Sequence, residues 1–154
     1  MLYFAYGSNL SISAMRERAP GAQPVIAAVL HDHALVFESN EPRDAPDAYF
    51  ANVRPSPSSA VPGALYEINA GDLESLDVYE DLARGVYERA FLSVARADGV
   101  PADAIIYRMC STGAARFGAP SREQLEQIRT GYADWDLDLR VLESALESTR
   151  SRMA

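Results

Sequence analysis

The stretch Leu2-Tyr3-Phe4-Ala5-Tyr6-Gly7-Ser8-Asn9 passes from an aromatic, apolar run into three residues that are typical of a tight loop. Aromatic residues at this density favour a buried β-strand, and Gly7 marks the loop in which that strand ends. Ser11 or Ser13 is a suitable N-cap for a helix from Ile12 to Arg18. The sequence therefore predicts a strand, a loop and a helix in immediate succession.

Strand signals fill most of the first half of the chain. Strands are predicted at Val25 to Phe37, Tyr49 to Arg54 and Ala60 to Ile68, with loops at Glu38 to Asp47 and Pro55 to Ser59. A later hairpin is predicted from Val86 to Ala95 and Ala102 to Met109, with its turn at Asp98-Gly99.

Helix signals gather in the second half. One helix is predicted to begin at Asn69-Ala70-Gly71-Asp72 and to hold Glu80 near its end, because Leu73 and Leu76 follow a helical spacing. Two further helices are predicted after Ser121 and around Val141 to Leu146. Strands first and helices later indicate an α+β fold, which we expect to form one domain over residues 1–154.

Composition and charge exclude several classes of function. The chain has 154 residues and a formal net charge of −8, from 22 acidic and 14 basic side chains, so nucleic acid is not expected as a partner. The start lacks the basic flank and long apolar stretch of a secretory signal, and the longest apolar run, Val25 to Leu30, is too short to span a bilayer. We therefore expect a cytoplasmic protein without a membrane partner.

The loop Gly7-Ser8-Asn9 is the first candidate site. It follows a predicted strand and precedes a predicted helix, where free main-chain N–H groups can bind an anion such as a carboxylate. The alternative is a turn that only reverses the chain.

Glu80 is the second candidate, because it lies three residues after Asp77 and next to Asp81. Two neighbouring negative charges would raise the pKa of Glu80 if its side chain were also partly buried, and a raised pKa suits a residue that shuttles a proton. The alternative is a solvated acidic edge of the helix.

Other reactive residue types lack the partner residues that catalysis or metal binding would require. Cys110 is the only cysteine, so no internal disulfide is expected, and it is either a nucleophile or an inert buried thiol. Ser8 would need His31 or His33 to fold onto it. The two histidines share one strand face, but no further Cys or His completes a metal set, and no metal is predicted. Four tyrosines in predicted strands are either core residues or pocket walls: Tyr3, Tyr6, Tyr87 and Tyr107.

Several motifs occur in a fixed order along the chain. They are Tyr3-Phe4-Ala5-Tyr6-Gly7-Ser8-Asn9-Leu10, Leu76-Asp77-Val78-Tyr79-Glu80 and Gly85-Val86-Tyr87, followed by Tyr107, Pro120-Ser121 and Gly131-Tyr132-Ala133-Asp134-Trp135. In order and spacing they resemble the γ-glutamylcyclotransferase family, which includes the AIG2-like proteins, and the resemblance covers nearly the whole chain. It implies a small mixed β-barrel with helices packed outside it.

The resemblance also implies a site and a reaction. The loop from Tyr6 to Leu10 would form the floor of a pocket, with the main-chain N–H groups of Gly7, Ser8 and Asn9 holding a glutamyl carboxylate, and Tyr87 and Tyr107 would be pocket walls. Glu80 would be the catalytic acid and base. The implied reaction is the cyclisation of a small-molecule γ-glutamyl amide to 5-oxoproline with release of an amine or amino acid, and it needs no cofactor.

Two alternatives and one departure accompany this interpretation. The same fold could serve as a binding module for small carboxylates, or as a hydrolase that uses water in place of the α-amine. Where the family often has a tyrosine over the substrate, this chain has Gln124, which favours an amine other than that of glutathione-derived γ-glutamyl amino acids. The sequence carries no prediction of oligomeric state.

Overall fold

Five β-strands close into a barrel in the computed structural model, which describes residues 1–40, 49–110 and 116–153. The strands are β1 (Leu2–Ala5), β2 (Gln23–Ser39), β3 (Phe50–Glu67), β4 (Tyr87–Arg96) and β5 (Pro101–Met109). They neighbour one another in the order β3-β1-β5-β4-β2, and β2 pairs again with β3. Because β1 and β5 are parallel and the other pairs antiparallel, the barrel is mixed. A two-residue strand, β6 (Arg116–Phe117), extends the sheet beside β2.

Within the ranges just given, four α-helices accompany the barrel: α1 (Ile12–Arg18), α2 (Ala70–Tyr79), α3 (Arg122–Asp134) and α4 (Leu139–Met153). The prediction of an α+β fold built as a small mixed barrel with outer helices is therefore confirmed. Of the two serines proposed to cap α1, Ser11 is the cap, since its Oγ accepts the N–H of Ala14 at 3.3 Å. None of the helices in the described ranges is long and apolar enough to cross a membrane.

The prediction of two short strands joined by a loop at Pro55 to Ser59 is wrong. These residues belong to the single strand β3, which pairs with β2 along nearly its whole length. The register shifts where His31 pairs with Ala60 and His33 with Pro55, so the extra residues of β3 form a bulge opposite Asp32. A bulge tolerates prolines because its residues need not donate to the ladder.

The predicted loop from Glu38 to Asp47 starts too early in the chain. Glu38 and Ser39 are the last residues of β2, because they pair with Phe117 and Arg116 of β6. Residues 41–47 lie outside the described part of the chain. The predicted β4–β5 hairpin is confirmed, and Gly99 adopts φ 86° in its turn, a backbone conformation that glycine reaches without steric cost.

The end of α3 anchors the segment that follows β1. That segment begins with a 3-10 turn, Ser8–Leu10. The indole N–H of Trp135 donates to the carbonyl of Leu10 at 2.9 Å, and the N–H of Ile12 donates to the carboxylate of Asp134 at 2.9 Å. Gly131 packs so closely that a Cβ on it would overlap the Cβ of Leu10. The 3-10 turn is therefore fixed against a helix distant in sequence.

Candidate active site

A cavity of about 350 Å³ lies between the 3-10 turn, the end of α2 and strands β3, β4 and β5. Its size and mixture of aromatic and polar walls suit a small molecule. The structure brings seven of the eight predicted site residues to its lining: Tyr6, Gly7, Ser8, Asn9, Glu80, Tyr87 and Tyr107. Leu10 is the exception, because it is fully buried in the core and does not line the cavity.

The 3-10 turn presents main-chain donors beside this cavity. The N–H of Leu10 donates to the carbonyl of Gly7 at 3.0 Å, and the N–H of Ser11 donates to the carbonyl of Ser8 at 3.2 Å. The N–H groups of Gly7, Ser8 and Asn9 precede the first donor of the turn, the N–H of Leu10, and they find no acceptor among the described residues. Such unsatisfied donors are suited to an anionic or carbonyl oxygen of a ligand.

Glu80 faces the cavity from the C-cap of α2. Its N–H donates to the carbonyl of Leu76 at 2.8 Å, which fixes the main chain, while its partly buried side chain lines the cavity. The Nδ2 of Asn9 lies 3.4 Å from Oε1 of Glu80. Burial raises the pKa of Glu80 to about 7, and the positive charge of Arg18 partly offsets that rise. A carboxyl group in this range can both accept and return a proton near neutral pH.

The cause that the sequence suggested for this raised pKa is wrong. Asp77 and Asp81 were expected to raise it by repulsion, but each has a cationic partner. Asp77 lies 3.4 Å from Arg89 and Asp81 lies 2.6 Å from Arg84, and neither aspartate contributes to the raised pKa of Glu80. The desolvation of one side chain is the dominant cause.

The tyrosines contribute their rings to the site while their hydroxyls are bonded elsewhere. The hydroxyls of Tyr6 and Tyr87 donate to the carbonyls of Tyr107 and Ala51, each at 2.6 Å. The hydroxyl of Tyr107 donates to Asp77 at 2.6 Å. Burial raises the pKa of Tyr6 and Tyr87 well above the ordinary value, so both phenols stay neutral. These residues are both core members and cavity walls.

The remaining reactive candidates lie away from the cavity. Cys110 follows β5 without lining the cavity, and burial raises the pKa of its thiol, which disfavours the thiolate. His31 and His33 lie in β2, where a ring nitrogen of His33 is 2.9 Å from the carbonyl of His31, and neither lines the cavity with Ser8. Over residues 1–40, 49–110 and 116–153, no group of three His, Cys, Asp or Glu side chains could hold a metal.

Sequence reasoning missed Arg18, which contacts the 3-10 turn from the end of α1. A sequence signal for it exists, since the apolar residues Ala14 and Met15 lie four and three residues before Arg18 and so share its helical face. The structure buries both of them. An arginine on the buried face of a short helix predicts a polar partner inside. Gln124 lines the cavity as well, and its buried Oε1 has no hydrogen-bond partner among the described residues.

The fold and cavity together define a small mixed-barrel protein whose cavity is lined by a carboxyl group and has a size that suits a small molecule. A sequence model of the family described as "Gamma-glutamyl cyclotransferase, AIG2-like" matches residues 3–137. The chain therefore belongs to the AIG2-like γ-glutamyl cyclotransferase family, as the resemblance indicated.

Individual relatives agree with this assignment. The gamma-glutamylcyclotransferase of Homo sapiens is 33% identical over 100 residues, which cover 64% of this chain and 53% of the relative. That of Bos taurus is 31% identical over 110 residues, covering 70% and 58%. A solved structure of a gamma-glutamyl cyclotransferase superposes with a TM-score of 0.82 at 29% identity, covering 94% of this chain and 85% of the other. The matched region spans somewhat more than half the length of the two curated relatives.

Proposed function

We propose that this protein is a γ-glutamylcyclotransferase, which converts a γ-glutamyl amide into 5-oxoproline and a free amine with Glu80 as general base and acid. The observation that carries the proposal is the placement of Glu80. Its side chain lines the same cavity as the main-chain donors of the 3-10 turn, and its pKa is raised to about 7 by burial. A carboxylate beside donors for an anion gives no advantage to a protein that only binds that anion, whereas a reaction with proton transfer requires such a group.

The reaction needs no nucleophile from the protein, because the substrate carries its own. The α-amine attacks the γ-carbonyl carbon, a C–N bond forms to close a five-membered ring, and the bond to the leaving amine breaks. The ammonium must first lose a proton and the leaving amine must gain one. One carboxylate that titrates near neutral pH can perform both transfers in turn.

Positioning supplies much of the remaining barrier reduction. A γ-glutamyl group held folded, with amine and carbonyl near contact distance, can gain on the order of 7–11 kcal/mol, as in well-oriented intramolecular reactions. The main-chain N–H groups of Gly7, Ser8 and Asn9 would hold the glutamyl carboxylate, and donors of this kind also stabilise an oxyanion that develops at the carbonyl. Tyr87 and Tyr107 would confine the chain of the substrate as walls.

Gln124 bears on which amine is released. It stands where relatives often carry a tyrosine, and its buried Oε1 lacks a donor among the described residues. A buried acceptor left without a partner costs about 1–3 kcal/mol, so a substrate N–H or O–H at this point would be favoured. A panel of candidate substrates should therefore include γ-glutamyl amides of polar amines as well as of amino acids.

The proposal is tested with that panel, with 5-oxoproline and glutamate measured by mass spectrometry. We expect 5-oxoproline and the free amine in equal amounts from at least one substrate. A copy of that substrate with an N-acetylated α-amine should be inert, because the nucleophile is blocked. Release of glutamate from the free substrate, or of N-acetylglutamate from the acetylated one, would instead identify a hydrolase. Thermal stabilisation by 5-oxoproline without any product would identify a binding module.

A further inference from the structure

Arg18 joins three parts of the site through its guanidinium group. Its Nη1 donates to Oγ of Ser8 at 3.0 Å and to Oδ1 of Asn9 at 2.6 Å. Its Nη2 donates to Oε1 of Gln127 in α3 at 3.0 Å. The guanidinium carbon also lies 4.0 Å from the ring centroid of Tyr79, which lines the cavity. A planar group with several fixed donors can hold these partners at once.

The bond to Asn9 decides which way that amide points. Asn9 is buried, and because its Oδ1 accepts from Arg18, its Nδ2 must face the other way. There Nδ2 donates to the hydroxyl of Tyr3 at 2.9 Å and approaches Oε1 of Glu80 at 3.4 Å. Without the arginine, a flipped Asn9 would turn an acceptor oxygen toward the carboxylate of Glu80.

We propose that Arg18 is a positioning residue for the reaction. It fixes the orientation in which the Ser8 hydroxyl and the Asn9 amide face Glu80 and the substrate. This inference rests on the proposed function for its kinetic consequence. Its structural content, the orientation of Asn9 beside Glu80, holds whether or not a given amide is turned over.

The surroundings of Glu80 explain why Arg18 matters electrostatically. The charged and titratable groups that face Glu80 or lie beside it are Arg18 of α1, Asp77 and Tyr79 of α2, Asp81 and Arg84 after it, and the phenols of Tyr3, Tyr6, Tyr87 and Tyr107. The last four phenols are neutral, and both aspartates are paired with arginines. Arg18 is the group whose charge lowers the pKa of Glu80 against the effect of burial.

Removal of the Arg18 charge should change the pKa of Glu80 in a defined direction. Without Arg18, the pKa of Glu80 rises further, because burial is no longer opposed. A general base must be ionised, so the acid limb of the kcat/KM profile should move to higher pH in Arg18→Met. Loss of positioning should also lower kcat/KM on the plateau by about 10- to 100-fold, which is the cost of a small misplacement of a reacting group.

Two further variants separate the positioning by Arg18 from the effect of its charge. Arg16→Met removes the same charge from an exposed site on the same helix, away from the cavity, and should leave both the plateau and the limb unchanged. Arg18→Lys keeps the charge but has no planar fork, so it should restore the position of the limb while the plateau stays low. An Arg18→Met enzyme with a wild-type profile, or an equal loss in Arg16→Met, would overturn the proposal.

A measurement without substrate keeps this inference distinct from the proposed activity. We would follow the carboxyl carbon of Glu80 by ¹³C NMR in wild type, Arg18→Met and Arg18→Lys, with Arg18→Gln in place of Arg18→Met if the methionine variant does not fold. The midpoint should lie above the wild-type value in Arg18→Met and near it in Arg18→Lys. The orientation of Asn9 is followed in the same samples through its side-chain ¹H–¹⁵N signals, which should change in Arg18→Met because Oδ1 of Asn9 loses its donor. If the amide panel gives no product but these changes are found, the function fails and the positioning role stands. Asn9 side-chain signals that match wild type in Arg18→Met refute the positioning role, and an unchanged Glu80 midpoint there refutes its electrostatic part.

Discussion

Glu80→Gln is expected to lower kcat for the best γ-glutamyl amide by about 10²- to 10⁴-fold, the usual contribution of one general acid–base group. Glutamine has nearly the same shape and still lines the cavity, but it cannot accept a proton from the substrate ammonium. The measurement is the initial rate of 5-oxoproline formation with saturating substrate. A Glu80→Gln enzyme that matches wild type would disprove the assignment of the base.

The control for this experiment is Glu74→Gln, an equal change at an exposed position of the same helix α2, which should keep full activity. A loss of activity in Glu80→Gln would not be caused by unfolding, because this substitution should not destabilise the protein. A carboxyl group whose pKa is raised in the folded state stabilises the fold below the unfolded pKa, and this contribution is lost as pH rises to about 7. At pH 8 the ionised Glu80 costs on the order of 2–3 kcal/mol, so Glu80→Gln should be at least as stable as wild type there.

Gly131→Ala is expected to destabilise the protein by about 3 kcal/mol, at the upper end of overpacking effects. The new methyl group would overlap the Cβ of Leu10 and lie 2.7 Å from its carbonyl carbon and 2.8 Å from the nitrogen of Ser11. Main-chain atoms cannot rotate away as a flexible side chain can, so α3 and the 3-10 turn must separate. The free energy of unfolding, from urea denaturation, measures the effect.

Activity and a second glycine complete this test. Because the displaced 3-10 turn carries Ser8 and Asn9, the folded fraction of Gly131→Ala should also lose turnover. Gly71→Ala is the matched control, since Gly71 is also helical and its new methyl group would meet Oδ1 of Asn69 at 3.3 Å. We expect a change within about 1 kcal/mol there, because alanine favours a helix interior by a similar amount. Equal stability of Gly131→Ala and wild type would contradict the packing described for α3.

Local signals predicted the elements whose ends are set by neighbouring residues. The helix Ile12–Arg18 has its cap at Ser11, and the β4–β5 hairpin has a glycine at its turn. The strand β3 could not be predicted in this way. Pro55 and Pro57 indicate a loop, but pairing with the similarly long β2 decides the conformation, and the bulge opposite Asp32 accommodates Pro57. Strand pairing between distant segments is not visible in one sequence.

The site likewise has features that the sequence predicts and features that it does not. The loop at Gly7 and the residue Glu80 were identified from motifs, and the structure places both at one cavity. The cause of the raised pKa could not be predicted, because Asp77 pairs with Arg89, whose position follows from the closed barrel, and the burial of Glu80 depends on the same tertiary structure. Asp81 pairs locally with Arg84, three residues further along the chain. Leu10 lies within the motif yet in the core, so motif membership does not separate packing from contact with a ligand.

The proposed reaction depends on a carboxyl group that titrates near neutral pH beside unsatisfied main-chain donors. The most direct measurement is a ¹³C NMR titration of the Glu80 carboxyl carbon in the wild-type protein, assigned by comparison with Glu80→Gln. We predict a midpoint near pH 7, because burial raises the pKa of Glu80 to about 7. A midpoint near 4.5, the ordinary value for a solvated glutamate, would contradict the account.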